Sequence, residues 1–130
     1  MAECACSSTP ATAEKKKTIL FYACSGGANV ADISDRVART LMKEGKGGMW
    51  CLAGLGANIP SMIDTAKNAD LNLVVDGCPM DCAKKIFERH GLSNVKYLRI
   101  TDLGIEKAKG VPVTEEQVQK SLTAARAMIA

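Results

Sequence analysis

Four short apolar runs punctuate the chain, and the more polar stretches between them carry hydrophobic residues at helical spacing. The runs are Thr18-Ile19-Leu20-Phe21-Tyr22-Ala23, Met49-Trp50-Cys51-Leu52, Leu71-Asn72-Leu73-Val74-Val75 and residues 95–100. Each has strand length, and continuous apolar character marks strands covered on both faces. After the first run, Val30, Ile33, Val37 and Leu41 share one face of a helix that Asn29 can cap and Gly45 with Gly47-Gly48 ends. Asn58 and Pro60 open a second helix, with Met62, Ile63 and Ala66 inward. A third follows Cys78, with Ile86 and Phe87 inward and His90-Gly91 as its stop. Residues 101–113 read as a loop. Thr114, with Gln117 three positions on, forms a capping box for a last helix striped by Val118, Leu122, Ala125 and Ile129. Strand and helix thus alternate four times. Right-handed crossovers turn that order into a doubly wound α/β domain of the Rossmann or flavodoxin-like kind. Its four parallel strands are expected in the order 2-1-3-4, with helices on both faces.

Composition narrows the setting. At 130 residues with 47% apolar and 24% charged side chains, one domain over residues 18–130 can bury its own core. Residues 1–17, rich in Ser, Thr, Ala and Lys, show no periodicity and read as a flexible tail. A net charge of +3 with 4% aromatics leaves no nucleic-acid footprint. No apolar stretch approaches the roughly 20 residues that cross a bilayer, and the N-terminus has no hydrophobic signal core. The expectation is a cytoplasmic protein without a membrane or nucleic-acid partner; a small-molecule or protein partner is left open.

Six cysteines change the picture, because a reducing compartment disfavours structural disulfides and turns attention to metals or thiol chemistry. Cys24, Cys51 and Cys78 each fall at the end of an expected strand, 27 residues apart in both steps. In the order 2-1-3 those strands are neighbours, and their carboxyl ends are where ligands collect. Cys82 follows Cys78 by one turn. With Pro79 suited to a helix's first turn, both sulfurs are expected on one helical face, near N–H groups that favour thiolate. Lys84 or Lys85 could further offset the charge of a thiolate cluster. Four thiolates suit tetrahedral zinc and also an iron–sulfur cluster. The plainer reading makes Cys24 and Cys51 small buried hydrophobes. The alternative chemistry is thiol–disulfide exchange through Cys78 and Cys82, although C-x3-C is one residue longer than the usual redox pair. A cysteine-phosphatase loop is disfavoured because residues 24–30 hold no arginine. Cys4 and Cys6 read as exposed tail thiols, or as an auxiliary metal-capturing pair. His90 reads as a surface residue at a helix end and Asp81 as a helix cap. Gly26-Gly27 could cradle an anion, but no complete phosphate motif surrounds it.

The segments Tyr22-Ala23-Cys24-Ser25-Gly26, Cys51-Leu52-Ala53-Gly54, Asp76-Gly77-Cys78-Pro79-Met80-Asp81-Cys82-Ala83-Lys84-Lys85 and Thr101-Asp102-Leu103-Gly104 resemble the DGC-domain family, named for the Asp-Gly-Cys triplet at residues 76–78. The resemblance covers about residues 18–128. It implies zinc bound by four cysteines matching Cys24, Cys51, Cys78 and Cys82. It implies a metal and no particular reaction, so whether the protein is an enzyme stays open.

Overall fold

The computed structural model describes residues 17–130. Of the expected tail only Lys17 is among them, and Cys4 and Cys6 lie outside. The elements run β1 (Ile19–Ala23), α1 (Asn29–Lys43), β2 (Gly48–Met49), α2 (Leu52–Gly56), α3 (Pro60–Asn68), β3 (Leu71–Asp76), α4 (Cys82–Arg89), β4 (Val95–Arg99), a 3-10 turn (Ile100–Leu103) and α5 (Glu115–Ile129). All strand pairs are parallel and the sheet order is β2-β1-β3-β4, the expected doubly wound arrangement. Strand alternation divides the core. Phe21, Leu73 and Val75 meet Val30, Ile33, Val37 and Leu41 of α1 and Val118, Leu122 and Ala125 of α5 on one face. Leu20, Tyr22 and Val74 meet Leu55, Ala66, Ala83 and Phe87 on the other. Each fully buried side chain of this size contributes about 1.5–3 kcal/mol.

Three local expectations change, the first being that the second strand ends at Met49 rather than Leu52. Beyond Met49, Trp50 N–H donates to the Phe21 carbonyl at 2.9 Å, and residues 52–56 form helix α2 rather than a glycine loop. β2 approaches β1 closely: a β-carbon at Gly47 would lie 2.2 Å from the Ile19 carbonyl oxygen. The helix after β3 begins at Cys82, not Cys78. The capping box of α5 forms as expected, with Gln117 N–H donating to Thr114 Oγ1 at 3.2 Å and Thr114 N–H to Gln117 Oε1 at 3.1 Å.

Candidate functional site: a thiol cleft at the carboxyl edge

β1 leads into α1 on one face of the sheet and β3 into α4 on the other, so a crevice opens between their carboxyl ends. Cys24 immediately follows β1 and its N–H donates to the Val75 carbonyl at 3.1 Å, extending the ladder by one bond. Cys78 lies two residues beyond β3. A cleft of about 210 Å³ here is lined by Cys24, Cys78, Met80, Cys82, Lys107 and Lys109, among others. The lysines arrive on the segment before α5, which Asn29 fastens to the start of α1. Asn29 Nδ2 donates to the Glu106 carbonyl at 2.9 Å, while its Oδ1 accepts from Ala108 N–H and Val30 N–H, both at 2.8 Å. Asn29 was expected as a helix cap; it is instead the first helical residue and a tie to this segment.

Each residue of the Asp-Gly-Cys triplet has a separate task. Asp76 is buried, and its carboxylate accepts N–H bonds from Ala83 and Lys84, each at 2.9 Å. It thereby caps α4 from the end of β3. Burial nevertheless pushes its carboxyl above the usual range, with the two N–H donors opposing that rise. Gly77 passes so close to α1 that a β-carbon would stand 2.9 Å from the Val30 carbonyl carbon. Its N–H donates to Cys24 Sγ at 3.2 Å and its carbonyl accepts from Thr101 N–H at 3.1 Å. Cys78 is half-buried, with Lys107 Nζ 3.4 Å from its sulfur.

Residues 78–81 form a turn closed by Asp81 N–H donating to the Cys78 carbonyl at 3.1 Å. Asp81 holds a left-handed backbone, φ 53 and ψ 44, at the N-cap of α4 yet makes no cap bond. Its carboxylate goes to Arg99, which donates through Nε at 2.9 Å and Nη2 at 2.5 Å and also reaches Asp102 at 3.3 Å. The Arg99 hydrogen bonds hold the Asp81 carboxyl below the usual carboxylate range. The cap expected of Asp81 therefore belongs to Asp76. Cys82, at the first position of α4, is exposed and is the sulfur at the helix N-terminus, where Cys78 was expected.

The four expected ligands divide three to one. Cys24, Cys78 and Cys82 line the cleft, whereas Cys51 is exposed at the N-cap of α2, in a neighbouring groove with Trp50, Met42 and Leu52. As placed, no three His, Cys, Asp or Glu side chains among the described residues form a group able to hold a metal ion. In kind, the cleft donors suit a thiophilic ion: three thiols, a thioether and two carboxylates already engaged by backbone N–H groups and Arg99. Cys51 lies two residues past the end of β2, in the groove beside the crevice. Burial pushes the Cys24 thiol up, partly opposed by the Gly77 N–H and by the Ser34 hydroxyl 3.8 Å away. Lys84 stands over the Tyr97 ring, 5.4 Å from its centroid, and does not line the cleft; Lys107 and Lys109 do. His90 Nε2 lies 2.7 Å from the Leu55 carbonyl, bolting the end of α4 to α2. At Gly26-Gly27 the helix-start N–H groups of Asn29 and Val30 are bonded internally, and Asp32 and Asp35 line the adjoining cavity, so an anion finds no cradle. Sequence reasoning missed Lys107, Lys109 and Arg99, which lie far along the chain from the cysteines.

The family model of the DGC domain matches residues 20–125. The chain belongs to the DGC-domain family. Within it, the chain is 34% identical over 91 residues to a Pseudomonas aeruginosa protein named anaerobic and virulence modulator AnvM, with 70% of each chain covered. No solved structure gives a significant match. The DGC motif is thus, in this chain, a helix cap, a close backbone contact and a cleft thiol in three consecutive residues.

Proposed function

We propose that this DGC-domain protein captures a thiophilic metal ion, zinc first among them, through Cys24, Cys78 and Cys82, with Cys51 supplying a fourth sulfur from the neighbouring groove. The reading is carried by one observation: three thiols from separate elements line the same crevice at the winding reversal of the sheet. The Gly77 N–H on Cys24 Sγ supports it, since that bond partly offsets the burial that pushes the Cys24 thiol up, and Lys107 stands beside the Cys78 sulfur. A reducing, cytoplasmic location follows from the same chemistry, because the thiols must stay reduced to bind. The name of the Pseudomonas relative links that protein to anaerobic modulation, which suits a thiol site that changes state with oxygen.

The test is elemental analysis of protein purified without oxygen, beside alkylation mapping of each cysteine. About one zinc per chain, with Cys24, Cys78 and Cys82 shielded, is expected. Shielding of Cys51 as well would complete the four-sulfur set. Iron with inorganic sulfide would replace zinc by a cluster. Metal-free protein with a reversible two-electron Cys78–Cys82 disulfide would replace the metal reading by thiol redox, which an exposed Cys82 one turn from a half-buried Cys78 also favours.

A further inference from the structure

We infer that Arg99 is a positioning residue that, through Asp81, holds Cys78 and Cys82 together as a dithiol able to grip one thiophilic atom. The inference rests on reading the cleft as a thiophile site. It starts from a left-handed backbone position. That conformation costs most side chains about 1–2 kcal/mol, aspartate being among the few that visit it, and a fixed one persists where its surroundings hold it. Asp81 is such a residue, and it sits between the two thiols of the turn. An aspartate at a helix N-cap ordinarily spends its carboxylate on its own helix, but those N–H groups belong to Asp76. The Asp81 carboxylate is left for Arg99, whose planar fork engages both oxygens. Arg99 is in turn the last residue of β4 and shares Asp102 with the 3-10 turn, so the clamp is anchored to the sheet. Return of Asp81 to negative φ would re-aim the chain as it enters α4, and Cys82 is the first residue to move.

The test uses phenylarsine oxide on the full chain, metal-free and reduced. Two thiols displace the oxide oxygen: two arsenic–sulfur bonds form, and the oxygen leaves as water with both thiol protons. Asp81→Ala and Asp81→Gly both lose the carboxylate and differ in what left-handed backbone costs them. Asp81→Ala is expected to bind the arsenical about tenfold more weakly than Asp81→Gly. Arg99→Ala should weaken binding to a similar extent, and adding Asp81→Gly should restore most of it. Cys82→Ser should abolish tight binding. Alkylation of Cys24 and far-UV circular dichroism should be unmoved across the Arg99 and Asp81 series, which separates positioning from unfolding. Equal affinity of Asp81→Ala and Asp81→Gly, no effect of Arg99→Ala, failure of the glycine rescue, or tight binding that survives Cys82→Ser would each overturn the inference. If Arg99→Ala does not fold, the alanine–glycine comparison at Asp81 decides alone. Purified protein without zinc would sink the metal reading yet leave this series readable, because the arsenical brings its own thiophile.

Discussion

A β-carbon on Gly77 would stand 2.9 Å from both the carbonyl carbon and Cγ2 of Val30, so Gly77→Ala must push β3's end away from α1. The expected cost is about 1–3 kcal/mol in urea denaturation, with faster alkylation of Cys24 as its N–H donor shifts. An unaltered midpoint and alkylation rate would show that the close contact is not needed. Asp76 carries a pH prediction. Its carboxyl is raised by burial, so the native chain holds that proton more tightly than the unfolded chain. Its contribution is full below the ordinary carboxylate value, about pH 4, and is lost as pH rises through the raised one. Asp81 runs the other way: lowered by Arg99, it stabilises above the ordinary value and loses that contribution as pH falls through the lowered one. In metal-free protein, Asp76→Asn should flatten the stability slope just above about pH 4 and leave the acid limb in place.

At the scale of elements, the helices are held by different devices. α5 is self-sufficient at its start, where Thr114 and Gln117 satisfy each other. Thr114→Ala should cost about 1 kcal/mol of stability while leaving phenylarsine oxide binding at the cleft as it was, because the cap lies away from the thiols. A change in arsenical affinity would instead couple α5 to the cleft. α4 has no such autonomy: its cap comes from Asp76 on β3, and its left-handed entry is held by Arg99 on β4. The helix that presents Cys82 is therefore set by the sheet, and its placement reports on strand packing. β2 is the opposite case, two residues long and sheet-bonded only as far as Trp50, which leaves Cys51 outside the crevice.

For the whole molecule, two apolar clusters packed on opposite faces of the sheet supply the stability. Protein stripped with a chelator should keep its far-UV spectrum and unfold cooperatively. Added zinc should then raise Tm with the logarithm of free metal, more strongly at higher pH, because each thiol gives up its proton on binding. The half-buried Cys24 thiol, pushed up by burial, accentuates that dependence. Loss of cooperative unfolding on stripping would mean that the metal belongs to the fold. Among the described residues no helix is long and apolar enough to cross a membrane.

Most strands, the helix faces and the α5 cap were legible because each depends on residues close in sequence: the apolar run at Leu20, Phe21 and Tyr22, the stripe from Val30 to Leu41, the Thr114–Gln117 pair; strand order came from the alternation of strand and helix with right-handed crossovers. The position of Cys24 and Cys78 at neighbouring strand ends followed from topology for the same reason, since each closes a strand that the pattern marks. What only the tertiary structure decided are the contacts that cross the chain. The partner of Asp81 is 18 residues away on another strand, and Lys107 reaches Cys78 across 29 residues. Cys51 sits outside the cleft because a two-residue strand ends early, which no periodicity announces. Local patterns determine what an element is and which face it buries. Which side chain meets which across the crevice depends on where strands stop and how loops fold back, and that balance is settled only when the sheet is packed.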